Sequence, residues 1–178
     1  MIECIGAGLG LRPVHLREVL ATMPAVPWFE LHICNFMQGA VNHGLLRELR
    51  EHYAVSFHGV SLNLGGTTPL DMNYLKQMKH LIDELQPGLV SEHACFTAHE
   101  GQFFHDLLPV PYSEASVKHM AARISQVQDL LGRQILIENV SRYYRYDQAI
   151  AGDDQLSEGE FIAAVAEQSD CLILLDLK

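Results

Sequence analysis

Four residues with metal-ligating side chains fall at or beside the ends of four apolar runs: His58 in 54–58, His93 in 89–93, Glu138 in 134–139 and Asp176 in 171–176. A fifth run, 28–32, finishes with Glu30 and His32, and Glu138 is followed by Asn139. Imidazole and carboxylate donors together suit iron, manganese or zinc, and the affinity order of the divalent metals does not choose among them. A single histidine or carboxylate at a strand end is commonly a satisfied turn or cap residue. The same placement in successive runs calls for a common cause. If the runs are parallel strands whose C-terminal ends converge, His58, His93, Glu138 and Asp176 face one point and can share a metal. Glu30, His32 and Asn139 then line the substrate pocket or orient the ligands. Glu92 precedes His93, so the two-residue period of a strand turns it to the opposite side, where a supporting role is expected.

The elements that must position these groups are legible as an alternation. Apolar runs at 2–6, 28–32, 54–58, 89–93, 134–139 and 171–176 read as buried parallel strands. Between them lie helix patterns with start signals. Thr68-Pro69-Leu70-Asp71 predicts a cap at Thr68 ahead of the apolar stripe Leu75, Met78, Leu81, Ile82 and Leu85. Ser113 opens a second helix with Val117, Met120, Ala121, Ile124, Val127 and Leu131 on one face, and Gly132 stops it. Ser157 with Glu160 forms a capping box for a third. No linker or repeat interrupts the order, so one α/β domain over 1–178 is expected. The convergence of polar strand ends favours a (β/α) barrel over an open sheet.

Composition narrows the function. With 178 residues, 48% of them hydrophobic, the chain can fill one sizeable core. Its formal net charge of -10 argues against an electrostatic grip on nucleic acid or an anionic membrane. Glu3 stands where a signal peptide carries positive charge, and no apolar stretch is long enough to span a bilayer, so a cytoplasmic protein is expected. Cys4, Cys34, Cys95 and Cys171 lie far apart without a CxxC pair and are expected as buried free thiols. His15, His43, His52, His80, His99 and His119 fall in helix or loop patterns and are expected to be solvated.

Competing motifs are weak. Gly6-Ala7-Gly8-Leu9-Gly10 imitates a dinucleotide fingerprint, with Glu30 at about the right distance, but Leu11 stands one place beyond the third glycine and Pro13 follows. A tight turn is the plainer reading. Gly65-Gly66 ahead of Thr68 fits either a phosphate cradle or a plain loop. No GxSxG elbow occurs, and no cysteine has a basic neighbour, which leaves acyl transfer without support.

At these residues the sequence resembles the bacterial multinuclear non-haem iron-dependent oxidases, which include the methanobactin-type oxazolone- and thioamide-forming enzymes. The resemblance is carried by six collinear stretches. They are Gly6-Ala7-Gly8-Leu9-Gly10-Leu11-Arg12, Trp28-Phe29-Glu30-Leu31-His32, Phe57-His58-Gly59-Val60-Ser61-Leu62, Ser91-Glu92-His93, Asp106-Leu107-Leu108-Pro109-Val110-Pro111-Tyr112 and Ile137-Glu138-Asn139-Val140-Ser141. It implies a triosephosphate-isomerase-type, xylose-isomerase-like barrel holding two or three irons that activates oxygen and oxidises a cysteine of a ribosomally made peptide. A partner protein delivers that peptide. By the same resemblance His58, His93 and Glu138 match iron ligands, Glu138 bridging two metals, and Asp176 matches an aspartate ligand on the sixth strand. Asp106 matches a motif to which the resemblance attaches no role.

About six strands are legible, whereas a closed barrel has eight. A barrel truncated after the sixth strand, lacking its last two β/α units, is therefore expected, with open edges that favour self-association and weak iron binding without turnover. Two other readings use the same residues. One is a zinc- or manganese-dependent isomerase or hydrolase on a related barrel, and the other a catalytically dead module that keeps only a peptide groove.

Overall fold

A computed structural model describes residues 4–37, 43–141, 146 and 156–177. Six strands form one sheet in the order β1 (Leu9–Leu11), β2 (Trp28–His32), β3 (Ala54–His58), β4 (Leu89–His93), β7 (Leu136–Glu138) and β8 (Leu172–Leu174). The pairs β1–β2, β2–β3, β3–β4 and β7–β8 are parallel. Helices α1 (Leu16–Thr22), α2 (Cys34–Met37), α3 (His43–His52), α4 (Met72–Leu85), α5 (Glu114–Leu131) and α6 (Glu158–Ser169) supply the connections, as the alternation predicts. Strands β5 (Cys95–His99) and β6 (Gln102–Pro109) form a separate antiparallel hairpin.

Two compact units divide the chain: Met1–Gly59 with Lys76–Ser91, and Val60–Leu75 with Glu92–Lys178. In the first, β2 shows why the site and the core separate cleanly. Phe29 and Leu31 are buried on one face, where Phe29 meets the Tyr53 ring edge-on at 5.0 Å, while Glu30 is half-buried and His32 exposed on the other. Each such aromatic or leucine side chain contributes about 1.5–3 kcal/mol when taken from water. The stripe on α4 is buried throughout at Leu75, Met78, Leu81, Ile82 and Leu85. Its cap is Asp71 rather than Thr68: the Asp71 carboxylate accepts the backbone N–H groups of Asn73 and Tyr74 at 2.8 and 3.0 Å.

In the second unit α5 and α6 begin at the expected serines. The Ser113 hydroxyl accepts from Ser116 N at 3.3 Å, and Ser157 with Glu160 closes a reciprocal capping box. Gly132 ends α5 in the left-handed region at φ +69°. Tyr112 stacks on Phe161 with centroids 4.6 Å apart, fixing α6 over the approach to α5.

The first strand departs from expectation. Among the described residues it is Leu9–Leu11, with none at 4–6, because pairing with β2 sets its place: Leu9 is opposite Phe29 and Leu11 opposite Leu31. Ile2 lies outside the described residues. A Cβ on Gly8 would run into the Trp28 ring, so the glycine run serves close packing, and Trp28 Nε1–H donates to Gly6 O at 3.0 Å. Gly65 and Gly66 have the same cause. A Cβ at Gly65 would strike Val110 and the Cys95 backbone, and one at Gly66 the Asn63 amide. Cys95 and Cys171 are buried thiols, whereas Cys4 and Cys34 are half-exposed, and none of the four is in a disulfide. No helix among the described residues is long and apolar enough to cross a membrane.

Candidate metal centre

Strand register decides which polar residues share a face. His32 is opposite His58, and His58 opposite Ser91, so residues of like parity, Glu30 and His32, Ser56 and His58, Ser91 and His93, line one side of the sheet. Phe29, Leu31, Val55, Phe57 and Val90 take the other side with Glu92.

In the first unit the His58 ring is buried and its Nδ1 lies 2.7 Å from Ser91 Oγ. The Ser91 hydroxyl donates to Phe57 O at 3.4 Å, which commits its single hydrogen. With the hydroxyl hydrogen so placed, Nδ1 is the donor to Ser91 Oγ and Nε2 keeps the lone pair a metal requires. The His32 ring meets His58 edge-on at 5.2 Å. Burial raises the Glu30 carboxyl above its usual range, partly offset by His32.

In the second unit His93 Nε2 lies 3.3 Å from Glu138 Oε2, the histidine buried and the glutamate half-buried. They stand on β4 and β7, neighbours in the sheet, and Ala94 N donates to Glu138 O at 2.8 Å. Glu92 is buried completely. Desolvation pushes its carboxyl up to about 8, against the pull of backbone N–H groups at His93, Leu62 and Ser61, while Glu138 adds to the rise. An acid of this kind is neutral over most of the physiological range and is suited to support its strand rather than to ligate.

Asn139 and Asp176 are brought together in a different manner. The Asn139 amide donates to Asp176 O at 3.2 Å and accepts from Asp176 N at 2.8 Å, extending the β7–β8 ladder by one side chain, and it also donates to Glu158 Oε1 at 2.9 Å. Asp176 is half-buried and lies beyond Leu174, the register partner of Glu138. Two histidines expected to be solvated have backbone partners: His119 Nε2 lies 2.8 Å from Gly66 O and His43 Nε2 lies 3.3 Å from Phe36 O.

A parallel α/β sheet whose strand ends carry imidazole and carboxylate groups belongs to the (β/α)-barrel class of folds. Solved structures agree. The chain is similar to a D-psicose 3-epimerase at TM-score 0.54 and 11% identity, covering 95% of this chain and 63% of that one. It is likewise similar to a D-allulose 3-epimerase from Methylomonas sp. at TM-score 0.56 and 16% identity, covering 98% and 63%. At these identities the likeness is one of fold.

The chain belongs to the family of RiPP precursor modification enzymes MbnB/TglH/ChrH, whose pattern matches residues 6–178. It is also 42% identical to a UPF0276 protein of Acaryochloris marina, over 97% of this chain and 60% of that protein. A UPF0276 protein of Anaeromyxobacter sp. is 41% identical over the same shares, so the chain spans about 60% of the length of these relatives.

Proposed function

We propose that this chain provides the metal-holding strands of an oxygen-dependent, iron-containing oxidase that modifies cysteine residues in a ribosomally synthesised peptide. The observation that carries the reading is the approach of His93 Nε2 to Glu138 Oε2, 3.3 Å, at the ends of neighbouring strands. His58, itself buried, is proposed as a second imidazole donor on the family resemblance. Two imidazoles and a carboxylate, largely withdrawn from water, fit a first-row divalent metal. Asp176, half-buried and beyond the end of β8, is proposed as a further donor on the family resemblance alone.

Iron, when bound, supplies redox chemistry toward dioxygen and a Lewis acid that favours the thiolate of a substrate cysteine. The remaining work falls to the chain. Ser91 fixes the His58 tautomer so that Nε2 ligates. Glu138 places an anionic oxygen against His93, so that the two side chains would hold a metal together. Glu30, made more basic by burial, stands on the same face as His58, where its carboxylate can accept the proton that a substrate thiol releases. His32 stands beside His58 and narrows the space left for the substrate. Asn139 holds the segment bearing Asp176. The peptide is delivered by a partner protein.

The test is anaerobic purification and iron loading, with metal quantified by mass spectrometry, followed by oxygen uptake with a cysteine-containing precursor peptide. Iron bound at His58 and His93, and oxygen uptake that depends on the peptide cysteine in a full-length relative, are expected. Zinc or manganese bound in place of iron, with no oxygen uptake by that relative, rejects the oxidase.

A further inference from the structure

The β5–β6 hairpin leaves β4 two residues after His93 and contains a built irregularity. Its tip is a two-residue turn in which Glu100 and Gly101 both have positive φ, 46° and 78°, the pattern that suits strand twist. Register then breaks. Phe96 is opposite Leu108 and Ala98 opposite Phe103, so Thr97 alone on β5 faces residues 104–107 on β6. The extra residues bow outward and wall a cleft of about 500 Å³ completed by Val60, Ser61 and Thr97.

The bow is held from the side of β5. The Asn63 side chain is buried, accepts from Thr97 N at 2.8 Å and Ala98 N at 3.2 Å, and donates to Ala98 O at 3.2 Å, standing in for a third strand. Asn63 adopts φ +54° and its carbonyl accepts from the buried Arg123 at 3.0 Å, while the same guanidinium bonds Thr68 O at 2.8 Å. This edge is therefore closed. On its other side β6 has no strand among the described residues, and Phe103 there is 79% exposed.

We propose that this cleft and the outer edge of β6 form a subsite for an extended stretch of the polypeptide substrate, which pairs with the edge and seats one apolar or aromatic side chain against Phe104. The inference rests on the peptide-modifying function proposed above and adds to it a recognition element. Three features select the occupant. A strand edge reads the N–H and C=O repeat of an extended chain, which a small molecule lacks. The wall of Val60, Phe103, Phe104 and Leu107 is apolar, with Phe104 braced edge-on by Phe96 at 6.2 Å. The lining includes the exposed Asp106, which disfavours an acidic segment.

The probes are fluorescein-labelled Gly/Ser peptides containing one cysteine and, beside it, either phenylalanine or glutamate. Anisotropy titrations compare the metal-loaded wild-type chain with Ser61→Phe, which fills the cleft from an exposed position, and with Phe104→Ala. The phenylalanine peptide is expected to bind the wild type roughly tenfold more tightly than the glutamate peptide. Both variants should abolish that preference while retaining wild-type metal content. Equal binding of the two peptides to the wild type, or a preference that survives Ser61→Phe, overturns the subsite. Metal content separates the two ideas. Normal loading without peptide discrimination defeats the subsite alone, whereas discrimination alongside zinc or manganese in place of iron and no oxygen uptake by a full-length relative keeps the subsite and defeats the oxidase.

Discussion

Ser91 Oγ lies 2.7 Å from His58 Nδ1 across the β3–β4 pair and 3.4 Å from Phe57 O, an acceptor for its hydrogen. A strand residue thereby selects the tautomer of its neighbour's imidazole. Ser91→Ala is expected to leave the fold intact and to weaken metal binding by about 10–100-fold, as loss of an orienting partner does. Competition against a chromophoric chelator measures this, and an affinity equal to wild type rejects the tautomer argument.

His58→Ala and His93→Ala are each expected to reduce metal affinity by more than about tenfold while the far-ultraviolet circular dichroism spectrum keeps its shape, because each removes a donor rather than an apolar core group. Unchanged metal stoichiometry in both variants would exclude them as ligands.

Glu160 titrates below the ordinary carboxylate range because the Ser157 hydroxyl and backbone N–H both donate to it. Since the folded pKa is the lower one, the associated stability is present above the unfolded pKa and is lost as pH falls through the folded value. Ser157→Ala should lower Tm at neutral pH and flatten the acid limb of a Tm-against-pH curve. Parallel curves for variant and wild type would show that the capping box contributes nothing.

Gly8→Ala should destabilise the chain by about 1–3 kcal/mol, since the added methyl meets the Trp28 ring. The double variant with Trp28→Ala should show much less than the sum of the single losses in urea titrations. Additive losses would mean the two residues do not compete for the same space.

What the sequence determines by itself is local. Strands β2, β3 and β4 occupy the expected runs 28–32, 54–58 and 89–93, because an apolar stretch closed by polar residues carries its own boundaries. The caps at Ser113 and Ser157 are equally legible, each bond closing within three residues. At Thr68-Pro69-Leu70-Asp71 two capping residues compete, and the helix starts after the second. The sheet-face sharing of His58 and His93 follows from parity once β3 and β4 are placed side by side.

Tertiary structure decided what depends on a partner far along the chain. The first strand moved to Leu9–Leu11 because register with β2, not apolar content, fixes an edge strand. The β5–β6 hairpin is not legible in the sequence although Glu100-Gly101 is a turn signal, since the bulged β6 lacks regular alternation. Asn139 is expected from its strand end to line the pocket, and nothing in the sequence singles out Asn63. Each instead spends its amide on the backbone of a residue about 35 positions away, Ala98 or Asp176, because an exposed or irregular strand leaves donors and acceptors that only a neighbour in space can satisfy.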